Sequence, residues 1–252
     1  MLEEILLYAA IGFVAQMVDG AISMAYGLTA TSVLLSVGVG PAMASASVHA
    51  AETFTTGAAG LSHWRAGNVR RDLVLRLALP GMLGAVVGAY LLSDLEGRYI
   101  RPVVSLYLVI LGGVILLRAM RQTPPPVAPA RNVTWLGLAG GFLDAVGGGG
   151  WGPLVASTLI GRGGVPRLAI GSTCAAEFFV TFAASVVFFL TLGFELWRVI
   201  LGLVLGGVVA APFAAMITRR LPDRPLMVIV GVVIILLAAR NLVKDIGWLL
   251  GA

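Results

Sequence analysis

The chain has 252 residues, of which 59% are hydrophobic and 12% charged, and it contains 33 glycines. A water-soluble domain of that composition could not cover its own surface, so the sequence reads as an all-α integral membrane protein. The net charge of +5 does not point to nucleic acid, because the basic residues lie in short connections between apolar segments, where membrane topology accounts for them.

Apolar segments are predicted at 5–22, 24–39, 42–62, 73–93, 100–117, 133–146, 152–160, 168–192, 196–217 and 225–239. Several approach the roughly 20 helical residues that span a hydrocarbon core. They are continuous runs without the two-residue alternation of a membrane barrel. Met1-Leu2-Glu3-Glu4 lacks the positive region of a secretory signal, so the first segment is expected to remain as a helix. The short segments near 133–160 are expected to be broken or re-entrant. The single cysteine, Cys174, excludes a disulfide within one chain.

Connections set an expected orientation. Arg65, Arg70, Arg71 and Arg76 outnumber Asp72, and Arg118, Arg121 and Arg131 stand without an acid, so both regions are expected to face the cytoplasm, as is the Arg219-Arg220 loop. The charge-balanced connections 93–101 and 193–198 are expected outside.

A shift of 125 positions superimposes the chain on itself. Gly12 meets Gly137, Asp19 meets Asp144, Gly27 meets Gly152, Pro41 meets Pro166, and Ala50-Ala51-Glu52 meets Ala175-Ala176-Glu177. The sequence thus divides into a first membrane repeat, 1–121, a cytoplasmic linker, 122–131, rich in proline and unable to be helical, and a second repeat, 132–252. About five crossings per half satisfy the charge pattern. An odd number makes the halves an inverted-topology repeat, with broken or re-entrant helices at the repeat interface and both termini outside.

Of twelve acidic residues, four lie within the predicted apolar segments: Asp19, Glu52, Asp144 and Glu177. They form two pairs under the shift. A carboxyl group in a membrane segment is costly unless protonated, paired or wetted, so function is the default reading and hydrogen bonding between helices the alternative. Ser45, His49, Glu52 and Thr56 form a polar stripe at helical spacing, matched in the second half by Cys174, Glu177, Thr181 and Ser185. His49, with Asp19, Glu52, Asp144 and Glu177, is a candidate for coupling or proton carriage. Gln16, Ser45, Thr56, Cys174 and Thr181 are candidate pocket lining.

Gly147-Gly148-Gly149-Gly150 interrupts the second half where a non-helical backbone is tolerated only around a cavity. Freed amides and the start of the next half-helix would bind an anion. Gly147, Gly148, Gly149 and Gly150 are therefore candidate substrate contacts, joined by Gly20 and Ser23 at the weaker break of the first half, and by Ser172. Close helix packing is the other use of such glycines.

These patterns resemble the sulfite exporter TauE/SafE family of membrane transporters. The resemblance is carried by Gly12-Phe13 through Gly27, by Gly140-Gly141-Phe142-Leu143-Asp144-Ala145-Val146 and the glycines to Gly152-Pro153, and by Gly171-Ser172 and Ala175-Ala176-Glu177. It departs at Asp19-Gly20-Ala21-Ile22, where the family has a denser glycine run. What it implies is secondary transport of a small sulfur-containing anion such as sulfite, a sulfonate or a related organic anion, usually outward across the cytoplasmic membrane.

Four acids with no arginine in the same stretches would repel an anion if all were ionised. Proton linkage through Glu52 and Glu177 is therefore expected, since desolvation favours the neutral carboxyl. The expected partners are the small anion, protons or another coupling ion, and membrane lipid, with no cofactor and no metal. A cation-coupled or cation-selective carrier, in which the carboxylates bind the cargo, is the alternative. An intramembrane enzyme is disfavoured because no His-Glu-x-x-His pair, nucleophile elbow, phosphate loop or zinc-type cysteine spacing occurs.

Overall fold

A computed structural model describes residues 2–22, 25–120, 133–162, 165–193, 197–218 and 223–249, and the regular elements among these are all helical. The first half contains α1 (Leu2–Ile22), α2 (Tyr26–Ser36), α3 (Pro41–Arg65), α4 (Arg71–Asp94) and α5 (Gly97–Met120). The second contains α6 (Val133–Gly147), a π-helical turn (Gly152–Ala156) running into α7 (Ser157–Gly161), then α8 (Pro166–Leu192), α9 (Trp197–Thr218) and α10 (Asp223–Leu249). Ser23, the linker 122–131 and the Arg219-Arg220 loop lie outside the described residues.

Prolines start the same helix in each half. Pro41 opens α3 and Pro166 opens α8, first-turn positions where the missing N–H costs nothing and the fixed φ favours helix. Four described helices are long and apolar enough to cross a membrane: 71–94, 99–117, 168–192 and 227–247. α3 is just as long, but its centre carries Ser45, Ser47, His49 and Glu52, all buried.

Packing pairs the halves crosswise. The 125-residue shift takes α1 to α6 and α4 to α9; α1 lies along α9, and α6 lies along α4. Each pairing is the repeat equivalent of the other, so the halves interdigitate. Two further pairs join like to like, α3 with α8 and α5 with α10. Glycine makes the crosswise contacts close: a Cβ on Gly12 would strike the backbone of Leu203 in α9, and one on Gly137 would come 2.7 Å from the Leu77 carbonyl oxygen in α4. Small residues at helix crossings are how membrane helices gain dispersion contact without a hydrophobic drive between them.

α4 shows the resulting pattern. Gly81, Gly84, Ala85, Gly88 and Ala89 face inward, while Leu75, Leu79, Leu83, Val87 and Tyr90 are exposed. Large apolar side chains outward and small ones inward suit lipid as the surrounding medium.

α10 departs from the predicted segment 225–239, continuing to Leu249. The extension carries Asp245, which pairs with Arg101 at 3.7 Å. A partner on α5 lets the helix run past a charge at which the apolar pattern stops.

Candidate functional site

Each half contains a broken helix, and in each an aspartate spans the break. α1 stops at Ile22 and α2 restarts at Tyr26; Asp19 Oδ1 accepts hydrogen bonds from the Ala25 and Tyr26 amides at 3.0 and 3.2 Å. In the second half α6 stops at Gly147, the chain turns through Gly148, Gly149 and Gly150 with φ of 70°, 136° and 136°, and Asp144 Oδ1 accepts from the Trp151 amide at 2.8 Å. Tyr26 and Trp151 are equivalent under the shift, so the two aspartates do the same job. A helix start presents unpaired amides and partial positive charge, which a carboxylate satisfies. The sequence offered those amides to a substrate, but Asp19 and Asp144 hold several of them.

The second oxygen of Asp144 lies 3.2 Å from His49 Nε2. His49 Nδ1 lies 2.8 Å from the Ser45 carbonyl oxygen, to which it donates, so a proton must sit between Nε2 and Asp144 for that contact to attract. Ser45 Oγ in turn donates to the Ala145 carbonyl at 2.6 Å. His49, Ser45 and Asp144 are fully buried, and the His49 ring packs on Phe188 with centroids 6.0 Å apart. This cluster ties α3 to the end of α6. In the second half the residue equivalent to His49 is Cys174, so the two breaks are braced differently.

The breaks meet. A Cβ on Gly27 would come 2.7 Å from Gly149 Cα and 2.8 Å from Glu52 Oε1, so the backbones of the two halves touch beside a carboxyl group. Glu52 takes a hydrogen bond from the Gly27 amide with one oxygen, while its Oε2 is buried with no protein partner. Tyr107 donates its hydroxyl to the Gly149 carbonyl at 3.2 Å, and the Thr31 hydroxyl donates to the Gly148 carbonyl.

Beside this contact lies a cavity of about 180 Å³, lined by Gln16, Asp19, Glu52, Thr56, Gly150, Cys174 and Glu177 among the candidates, with Tyr26, Gly27, Thr55, Ala59, His63 and Gly152. The structure thus brings to one space three of the four acids of the apolar segments, both repeat-related glutamates among them, and one glycine of the tetraglycine run. It places the other candidates elsewhere. Ser45, His49 and Asp144 form the buried brace, Gly147 packs on Tyr107, and Gly148 and Gly149 pack on Thr31 and Gly27. Ser172 Oγ accepts from the Arg70 amide at 2.9 Å, and the Thr181 hydroxyl donates to the Glu177 carbonyl at 2.9 Å. Gly20 lies in the last turns of α1.

Sequence reasoning missed Tyr26, Thr55, Ala59 and His63. The signal was present in the spacing: counted from Glu52, residues 55, 56, 59 and 63 continue one helical face toward the end of α3. The predicted stripe went no further than Thr56 in that direction and otherwise ran the other way, to His49 and Ser45, which turn into the protein. Among the described residues, no group of three or more histidine, cysteine or acidic side chains is placed to hold a metal ion.

The arrangement offers a small space at the meeting of two interrupted helices, with ionisable groups and no lysine or arginine among its lining residues. Comparison with known proteins agrees with this reading. None of the solved structures matches the chain. It is 41% identical over 254 aligned residues, covering 97% of this chain and 84% of the relative, to the protein named "Probable membrane transporter protein YtnM" of Bacillus subtilis (strain 168). The family model described as sulfite exporter TauE/SafE matches residues 8–241, so the chain is a transporter and not an enzyme: it belongs to the TauE/SafE sulfite exporter family of membrane proteins.

Proposed function

We propose that this protein is a secondary transporter that carries a small sulfur-containing anion, such as sulfite, a sulfonate or a related organic anion, out across the cytoplasmic membrane in exchange with or together with protons. The observation that carries this reading is the convergence of Glu52 and Glu177, repeat equivalents on α3 and α8, on one cavity beside both helix breaks. Its volume is that of about six water molecules, which suits an oxyanion with at most a short organic group. Carboxyl groups there repel an anion when ionised and donate hydrogen bonds to it when protonated, which links anion binding to proton binding.

Glu52→Gln and Glu177→Gln keep a neutral hydrogen-bonding side chain but remove the titration. Each is expected to abolish the dependence of flux on a pH gradient in proteoliposomes while leaving exchange of the anion measurable. Unchanged pH dependence in both variants would remove the glutamates from coupling.

The absence of any lysine or arginine among the cavity's lining residues supports one other reading, a carrier in which the carboxylates hold a cation. Competition for binding in detergent by sulfite, thiosulfate, sulfonates and carboxylates against metal ions separates the two.

The halves are read as inverted, with five crossings each, the linker in the cytoplasm and both termini outside. The crosswise pairing of α1 with α9 and of α6 with α4 supports this arrangement. Cysteines introduced at Ser93 and Ala128 are expected to react with an impermeant reagent from opposite faces of the membrane. Reaction from one face only would break the count.

A further inference from the structure

Two equivalent helix faces lead away from the carboxyl groups, and one lines the cavity while the other is packed inside the protein. On α3 the cavity follows Glu52, Thr55, Thr56, Ala59 and His63, one helical face that runs about 16 Å from the carboxyl group to the last turn, beside the arginine-rich connection. All four residues beyond Glu52 are partly exposed. The 125-residue shift carries that face to Glu177, Val180, Thr181, Ala184 and Phe188 on α8. There Val180, Thr181 and Ala184 are 0% exposed and Phe188 is 2% exposed.

Sequence equivalence therefore coexists with conformational difference. Phe188, the counterpart of His63, packs on His49 and also forms part of the wall of a second crevice, about 260 Å³, with Ala46, Ala50, Ser185 and Phe189. Two halves of one design that adopt different states can exchange those states at modest energetic cost, because each conformation is already accessible to its homologous partner.

We infer that the buried face of α8, Val180, Thr181, Ala184 and Phe188, is the second portal of the transport path, with Phe188 as its gate against His49, and that the structure is the state open only past His63. The inference rests on the transport reading and adds to it the residues of a route that is closed here. The gates differ in chemistry: an imidazole that can carry charge at the open mouth, a phenyl ring at the closed one.

Side-specific labelling tests it. Ala59→Cys, Ala184→Cys and the nearly isosteric Thr181→Cys are treated with a membrane-impermeant maleimide from either face of sealed vesicles, and modification is read residue by residue by mass spectrometry. Ala59→Cys is expected to react from the face bearing the 63–76 connection, and the α8 cysteines from the opposite face. Added sulfite or a change of pH that speeds one class is expected to slow the other. Phe188→Ala is expected to speed modification of the native Cys174 from that opposite face by about tenfold, because the closed state loses the ring's packing. Reaction of both α8 cysteines from the same face as Ala59→Cys, or from neither face under any condition, would overturn the inference. Flux by the unmutated protein tests the transport reading separately, since labelling reports the side of access whether or not a chosen anion is carried.

Discussion

Gly149→Ala should abolish transport and leave a protein markedly less stable than the parent. Gly149 has φ of 136°, a region that side chains with a Cβ rarely occupy, and an added Cβ would lie 2.5 Å from the Gly27 carbonyl carbon and 2.7 Å from the Leu28 nitrogen. Neither obstacle is a flexible side chain that could swing away. Overpacking costs about 1–3 kcal/mol and a strained backbone a further 1–3 kcal/mol or so. The contact is also where the two halves meet beside Glu52, so separating the backbones there moves the cavity wall. Thermal unfolding in detergent reads the first effect and uptake into proteoliposomes the second. Parental stability and flux together in Gly149→Ala would show that the Gly27 and Gly149 backbones do not touch as described.

Asp144→Ala is expected to be the most damaging of the changes to the four acids within the apolar segments. It orphans the Trp151 amide and leaves His49 Nε2 facing an empty space, with both partners fully buried. Each buried polar group left without its hydrogen-bond partner costs about 1–3 kcal/mol, a large share of the stability of many proteins when two are orphaned together. Asp144→Asn keeps an oxygen for the Trp151 amide and should lose much less. Asp19→Ala should fall between them: it frees the Ala25 and Tyr26 amides, but Asp19 is only partly buried and lines the wet cavity. Comparison of melting temperatures in detergent gives the order. Equal losses in Asp144→Ala and Asp144→Asn would mean that the carboxyl group acts through its charge and not as the cap of the second half-helix.

The two aspartates and the two glutamates therefore divide the work differently from what their spacing conveys. All four are acids in apolar surroundings, and rarity alone marks them as important. Once the chain is folded, Asp144 is spent on a helix start and a histidine, and Asp19 on a helix start at the cavity edge. Glu52 and Glu177 are left as the matched pair in the open space, with Glu52 Oε2 lacking a protein partner.

Composition, hydropathy and the 125-residue shift were sufficient to establish a helical membrane protein, most of its segment positions and the location of its breaks. These depend on local properties: the length of apolar runs, prolines at the first turn of α3 and α8, and glycines that a helix will not accept. The identity of the buried acids was legible for the same reason, since a charge in an apolar run stands out without any knowledge of its neighbours. What only the tertiary structure decided was direction and pairing. His49 and Glu52 are three residues apart on one helix, yet one is locked against α6 and Phe188 while the other opens on the cavity, because the faces of α3 meet different partners. Likewise His63 and Phe188 occupy equivalent positions in the repeat, and their unlike exposure follows from packing across the halves, which equivalence in sequence cannot specify.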